Sequence, residues 1–162
     1  MRTLLAALTA LMLLATPVVA GDYLKAVAAL AAGNYQEAFR FITPFAEQGE
    51  AWAEAILGTM YANGEGVPQN DVKAVYWNRK AAEQGDAGAQ ANLGGMYYNG
   101  DGVLEDYVQA YAWTSIAASR GDKLAKRNKG IMKKKMTREQ IAKGQELSSE
   151  LWEKYVVPFQ KN

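Results

Sequence analysis

The run LGTMYANGEGV, from Leu57 to Val67, recurs as LGGMYYNGDGV from Leu93 to Val103, an offset of 36 residues. The offset holds on both sides. Ala53 matches Ala89, Gly58 matches Gly94 and Tyr61 matches Tyr97, while Gly64 and Gly66 match Gly100 and Gly102. Further on, Ala74 matches Ala110, Trp77 matches Trp113, Ala81 and Ala82 match Ala117 and Ala118, and Gly85 matches Gly121. A period between 20 and 50 residues is the signature of a stacked array, in which each unit buries its apolar face only against its neighbours.

Each unit reads as two helices. The first covers Ala51 to Asn63, and again Ala87 to Asn99, ending on Asn-Gly-acid-Gly-Val. A glycine just past a helix end can take the left-handed conformation that closes the last carbonyls. The second helix starts near Asn70 or Asp106, both good caps. It carries Ala74, Trp77 and Ala81, or Ala110, Trp113 and Ala117, on one face. Small alanines beside one large ring let neighbouring helices approach closely, so Trp77 and Trp113 are expected in the core. On that reading Trp77→Ala costs about 3 to 5 kcal/mol. Gly85 and Gly121 end these helices, and Asp86 and Asp122 cap the next ones.

The pattern thins outward. Asp22 to Ala32 reads as a short helix broken by Gly33-Asn34, and Tyr35 to Gln48 as the second half of an earlier, partial repeat, with Pro44 expected to kink it. Beyond Asp122, the leucine position of the repeat holds Lys129 and the tyrosine position Lys133. One apolar stripe survives there, Leu124, Asn128, Ile131, Met132 and Met136. Thr137-Arg138-Glu139-Gln140 is a capping box that opens a last helix, stopped by Pro158. About seven helices are expected in all.

Residues 1 to 20 form their own unit: Arg2, an apolar run from Leu4 to Ala15, then Pro17 and Val18-Val19-Ala20. This reads as a secretory signal peptide cut after Ala20, since the apolar run is too short to cross a bilayer. The expected location is the periplasm or the medium, with no membrane-integral part after cleavage. The chain has no cysteine and no histidine. Disulfides, Ser-His-Asp triads, Cys-His dyads and zinc sites are therefore excluded. Residues 21 to 122 carry 6 basic and 13 acidic side chains, and residues 123 to 162 carry 11 and 4, net −7 against +7. Such asymmetry marks either an interaction surface or two solvated faces of opposite sign.

The runs A-x-x-x-L-G-x-x-Y-x-x-G-x-G-V and A-x-x-W-x-x-x-A-A-x-x-G resemble the Sel1-like repeat, a relative of the tetratricopeptide repeat. They occur twice between Ala53 and Gly121. Ala112 departs from the family, which often has an aromatic before the tryptophan, and the pattern is lost beyond Gly130. The resemblance implies an all-α, right-handed α/α solenoid of helix pairs with a C-terminal capping helix. The division is 1–20 signal peptide, 21–50 partial repeat, 51–86 and 87–122 full repeats, and 123–162 degenerate repeat and cap. It also implies a non-catalytic scaffold or adaptor for other proteins, with no cofactor, metal or catalytic residue, and with the first helix of each pair lining a concave face. By resemblance to tetratricopeptide grooves, the partner-binding positions are Trp52, Thr59 and Asn63, then Asn92, Tyr98 and Asn99, then Arg127, Asn128 and Lys135. The aromatics offer flat apolar surface, the asparagines can hold an extended peptide backbone, and Arg127 and Lys135 can pair with an acidic end.

Two other chemistries are weighed against this. Glu65 and Asp101 occupy equivalent loops about 10 Å apart by helix-packing distances. Two carboxyls at such a spacing suit an inverting glycosidase acting on cell-wall glycan, although both also suit plain solvated turns. Lys123 to Lys135 holds seven basic residues. Export argues against nucleic acid, which leaves anionic envelope lipid or glycan, or an acidic partner, as its target.

Overall fold

Residues 20–160 are described in the structure, a computed structural model. The leader expected over residues 1–20 lies outside them except for Ala20, which opens the first helix. Eight α-helices follow, with no strand among the described residues: α1 Ala20–Ala31, α2 Tyr35–Glu47, α3 Ala51–Asn63, α4 Asp71–Glu83, α5 Ala87–Asn99, α6 Tyr107–Ser119, α7 Lys123–Lys135 and α8 Arg138–Tyr155. A 3-10 turn, Val157–Phe159, is the last element among the described residues. The count is eight rather than seven, because the lysine-rich stripe after Asp122 forms a complete helix of its own. α2 runs on through Pro44 as one helix.

The repeat chemistry sets the helix ends. Gly64 and Gly100 sit at φ +70° and +77° and close α3 and α5, with Glu65 N–H and Asp101 N–H donating back to the Met60 and Met96 carbonyls. Asn70 accepts from Lys73 N–H, and Asp106 from Val108 and Gln109 N–H, to start α4 and α6. Asp86 and Asp122 do the same for α5 and α7, through Ala89 N–H and Ala125 N–H. Thr137 and Gln140 form the reciprocal cap of α8. Inside each pair the helices nearly touch. A Cβ on Gly58 would run into Asn78, and one on Gly94 into Thr114, including their backbone.

Along the stack α1 packs on α2, α2 on α3, α3 on α4 and so on to α7, but α8 folds back against α6 instead of α7. Two expectations change as a result. Trp113 is 2% exposed and stacks on Tyr155 of α8, ring centroids 5.9 Å apart. Trp77, its repeat counterpart, is only half-buried, with Tyr76 at 5.0 Å and the Lys80 ammonium 5.0 Å from its ring. Among the described residues, no helix lies outside α4 as α8 lies outside α6, so the cost of Trp77→Ala falls below that expected from sequence. The stripe on α7 also divides. Met132 and Met136 turn inward with Ala125, while Leu124 and Ile131 stay 63% and 42% exposed. Lys129 and Lys133, at the leucine and tyrosine positions, lie over the Tyr111 ring at 5.2 and 6.0 Å. Their stems cover apolar surface at an end of the stack where the heads can reach water.

Candidate functional site: a trough across α3, α5 and α7

The first helices of successive repeats present residues 36 apart at the same height. One column runs Asn63, Asn99, Lys135, a second Thr59, Gly95, Ile131, and a third Ile56, Asn92, Asn128. Their arrangement produces three cavities that share walls. The middle one, about 420 Å³, takes Thr59 and Asn63 from α3, Asn92 and Asn99 from α5, and Asn128 from α7. Toward the start of the chain it meets a cavity of about 290 Å³ through Thr59 and Asn92, lined further by Ile56, Glu65 and Asp86. Toward the end it meets one of about 250 Å³ through Gly95, Asn99 and Asn128, lined further by Tyr98, Ile131 and Met132. The three form one trough.

Five of the nine residues picked from sequence therefore share the middle cavity, and Tyr98 stands beside them. Lys135 joins through Tyr98: its ammonium lies 5.0 Å from that ring centroid, and the Tyr98 hydroxyl holds the amine above its ordinary value. Tyr98 also packs on Tyr107 at 5.5 Å, whose hydroxyl is pushed up, first by desolvation and then by the Glu105 charge. Two residues sit elsewhere. Trp52 is on the same face of α3, at its first turn, but there the rings of Tyr23 and Phe45 take it, 5.2 and 5.1 Å away. It closes the beginning of the stack. Arg127 is exposed on α7 and lines none of the three cavities. It lies about 100° around the helix from Asn128, enough to leave the trough.

Beneath the columns run buried polar groups that sequence reasoning passed over. Asn78 donates to the Ala74 carbonyl at 3.0 Å and accepts from Asn92 at 3.2 Å. Its counterpart Thr114, 2% exposed, also lines the middle cavity, yet its hydroxyl has no partner in the protein. An unpaired buried hydroxyl costs about 1 to 3 kcal/mol. Glu54 is fully buried, paired with Lys80 at 2.7 Å and with Gln84, which also donates to the Gly49 carbonyl of the preceding unit. In the next repeat these positions hold Gln90, Ile116 and Arg120, and Arg120 bonds the Gly85 carbonyl. The cation moves from the lysine position to the glutamine position, where Arg120 also reaches the Gln90 amide oxygen at 3.4 Å, and the acid becomes an amide. This buried polar position repeats at the 36-residue offset, and that regularity was the available signal.

The loop carboxylates considered for hydrolysis are each tied to their own turn. Glu65 accepts from Asn63 at 3.1 Å, and Asp101 from Asn99 at 2.9 Å. A larger concavity, about 670 Å³, opens away from the trough at the α1–α2 turn, around Asn34, Gln36 and Arg40. There a three-residue turn stands where the full repeats have seven-residue loops.

A family model described as Sel1 repeat matches residues 53–86 and 87–122. Among solved structures, the chain is similar to c5321, a protective antigen present in uropathogenic Escherichia coli strains and displaying an SLR fold. The match has TM-score 0.73 and 39% identity over 76% of this chain and 27% of that one. It is also similar to a Sel1 repeat protein from Oxalobacter formigenes, with TM-score 0.56 and 38% identity over 59% of this chain and 40% of that one. The chain thus spans well under half the length of either structure. No curated protein matches it.

Proposed function

The chain is a Sel1-repeat protein, and from that premise we propose that it is a non-catalytic scaffold of the bacterial cell envelope. It holds an extended segment of a partner protein in the trough formed by α3, α5 and α7. The observation that carries this reading is the meeting of Asn63, Asn92, Asn99 and Asn128, from three successive units, in one cavity. Primary amides donate and accept at once, so a row of them can serve the alternating N–H and C=O groups of an extended chain without dictating its side chains. Leu124 and Ile131 add apolar surface at one end, and Tyr98 adds a ring. The leader read at residues 1–20 supports export, and with it a partner in the periplasm or outside the cell.

A photo-crosslinking amino acid at Asn99 or Asn128, compared with one at Tyr76 on the outside of α4, tests the trough. The first two should capture a protein from the envelope fraction and the third should not. Capture only from Tyr76 would move the site to the outer face. The exposed part of α7, Lys123, Lys126, Arg127, Lys133 and Lys134, favours a second contact, with an anionic lipid or glycan surface. Vesicles containing anionic lipid should bind the wild type, and Lys133→Glu with Lys134→Glu should abolish that binding.

A further inference from the structure

We infer that the segment held in the trough is cationic: an extended stretch of a partner protein carrying lysine or arginine. This deepens the scaffold reading and rests on it. The middle cavity is lined by Asp71 and Asp101, and the cavity before it by Glu65 and Asp86. Among the described residues, no lysine or arginine lines any of the three connected cavities. The basic surplus of the C-terminal part lies on the other sides of α7, with Lys135 drawn onto Tyr98 at the rim. The acidic end expected from Arg127 and Lys135 therefore has no counter-charge inside the trough, whereas a cation has several.

Two further features show that the trough is shaped for an occupant and is more than an acidic patch. Thr114 lines the middle cavity, and its buried hydroxyl, set against Gly94, has no partner in the protein, while its counterpart Asn78 is satisfied twice over. Gly95 lies mid-helix on the trough wall, and a Cβ there would meet nothing within 4 Å. No packing demands glycine at that position. Its bare backbone lets another chain come close, a recurrent use of glycine at ligand sites. The spacing also fits. Glu65 and Asp101 are equivalent positions one repeat apart, about 10 Å by helix packing, and an extended chain advances about 10 Å in three residues. A cation at every third residue meets carboxylates of successive units.

The test is fluorescence anisotropy of the full mature chain with labelled peptides of repeated Gly-Ser-Lys and of repeated Gly-Ser-Glu. The lysine peptide should bind at least about tenfold tighter than the glutamate peptide, and raising salt should weaken it, because exposed charge pairing is screened. Glu65→Gln with Asp101→Asn keeps both turn hydrogen bonds available and should erase the preference. Equal binding of the two peptides, tighter binding of the glutamate peptide, no binding of either, or a preference unchanged in the double variant would each overturn the inference. If crosslinks from Asn99 or Asn128 still capture a partner in that case, the scaffold reading stands and only its charge is wrong. If they capture nothing, the scaffold reading itself fails.

Discussion

The α3–α4 and α5–α6 repeats carry the same residue at 18 of 36 positions, yet they live in different surroundings. Every residue of α6 from Ala110 to Ala118 is buried, while α4 buries five residues. The side chains that differ on these helices follow that contrast. Tyr76, Arg79 and Lys80 on α4 are replaced by Ala112, Ser115 and Ile116 on α6. α8 lies against α6, so near that contact there is room for an alanine but not a second large ring. Gly144 of α8 is itself needed there, since a Cβ would come within 2.8 Å of the Tyr111 ring. The repeat fixes what each unit does internally, and the departures from the repeat record what lies outside it.

The tryptophans measure the contrast most directly. Trp113→Ala should cost about 4 kcal/mol, within the range for truncating a buried ring. Trp77→Ala should cost about 2, since part of that ring already meets water. Urea denaturation of both variants checks the order. A Trp77 variant as unstable as the Trp113 variant would mean that α4 is covered in solution as α6 is.

Next comes the missing aromatic. Ala112→Tyr restores a residue common in the family but forces a ring under α8. It should destabilise by about 2 to 3 kcal/mol through overpacking. Tyr76→Ala, at an exposed equivalent site, should stay within about 1 kcal/mol. Equal effects would show that α8 does not hold Ala112 closed.

The buried polar position gives a smaller effect with a built-in rescue. Lys80→Met strands the Glu54 carboxylate and should cost about 2 kcal/mol, below the 3 to 5 typical of a fully buried pair because Lys80 is partly exposed. Glu54→Gln combined with Lys80→Ile removes both charges, as Gln90 and Ile116 do at the equivalent positions, and should recover most of that loss. Thermal melts of the single and double variants decide it. A double variant no better than Lys80→Met would show that the two repeats do not exchange this pair freely.

These contrasts explain how far the sequence could be read. The helix pairs, their caps and the glycine closures were legible because each appears twice at one offset and each has a local cause in the chain. The asparagines of the trough were legible for the same reason: Asn63 and Asn99 differ by one period, as do Asn92 and Asn128. Trp52 and Arg127 lie off the trough because their surroundings depend on the ends of the stack, where the period has no neighbour to consult. Tyr23 and Phe45 claim Trp52 from outside the repeat. The return of α8 to α6 is a contact between segments of unrelated sequence, and only the unusual apolar surround of α6 announced it. The carboxylates of the trough were read one loop at a time, as turn residues, and the missing cations around them are visible only once three helices share a wall.

Adjacent glycines of α5 supply the finest comparison. Gly94 is required by packing, since a Cβ would strike Thr114 and the backbone of α6. Gly95 is next to it, and the same atom there meets open space. In a helix interior, replacing glycine with alanine stabilises by about 0.5 to 1 kcal/mol when nothing obstructs the methyl group. Gly95→Ala should therefore raise the melting temperature by about 2 to 4 °C for a domain of this size. Gly94→Ala should lower it. A glycine that weakens the fold and has no packing reason to exist points to another use for the open backbone. If that use is the close passage of a bound segment, Gly95→Ala should gain stability and lose affinity for the lysine peptide in the same molecule. A gain in stability with unchanged affinity would leave the trough intact and remove Gly95 from its contact surface.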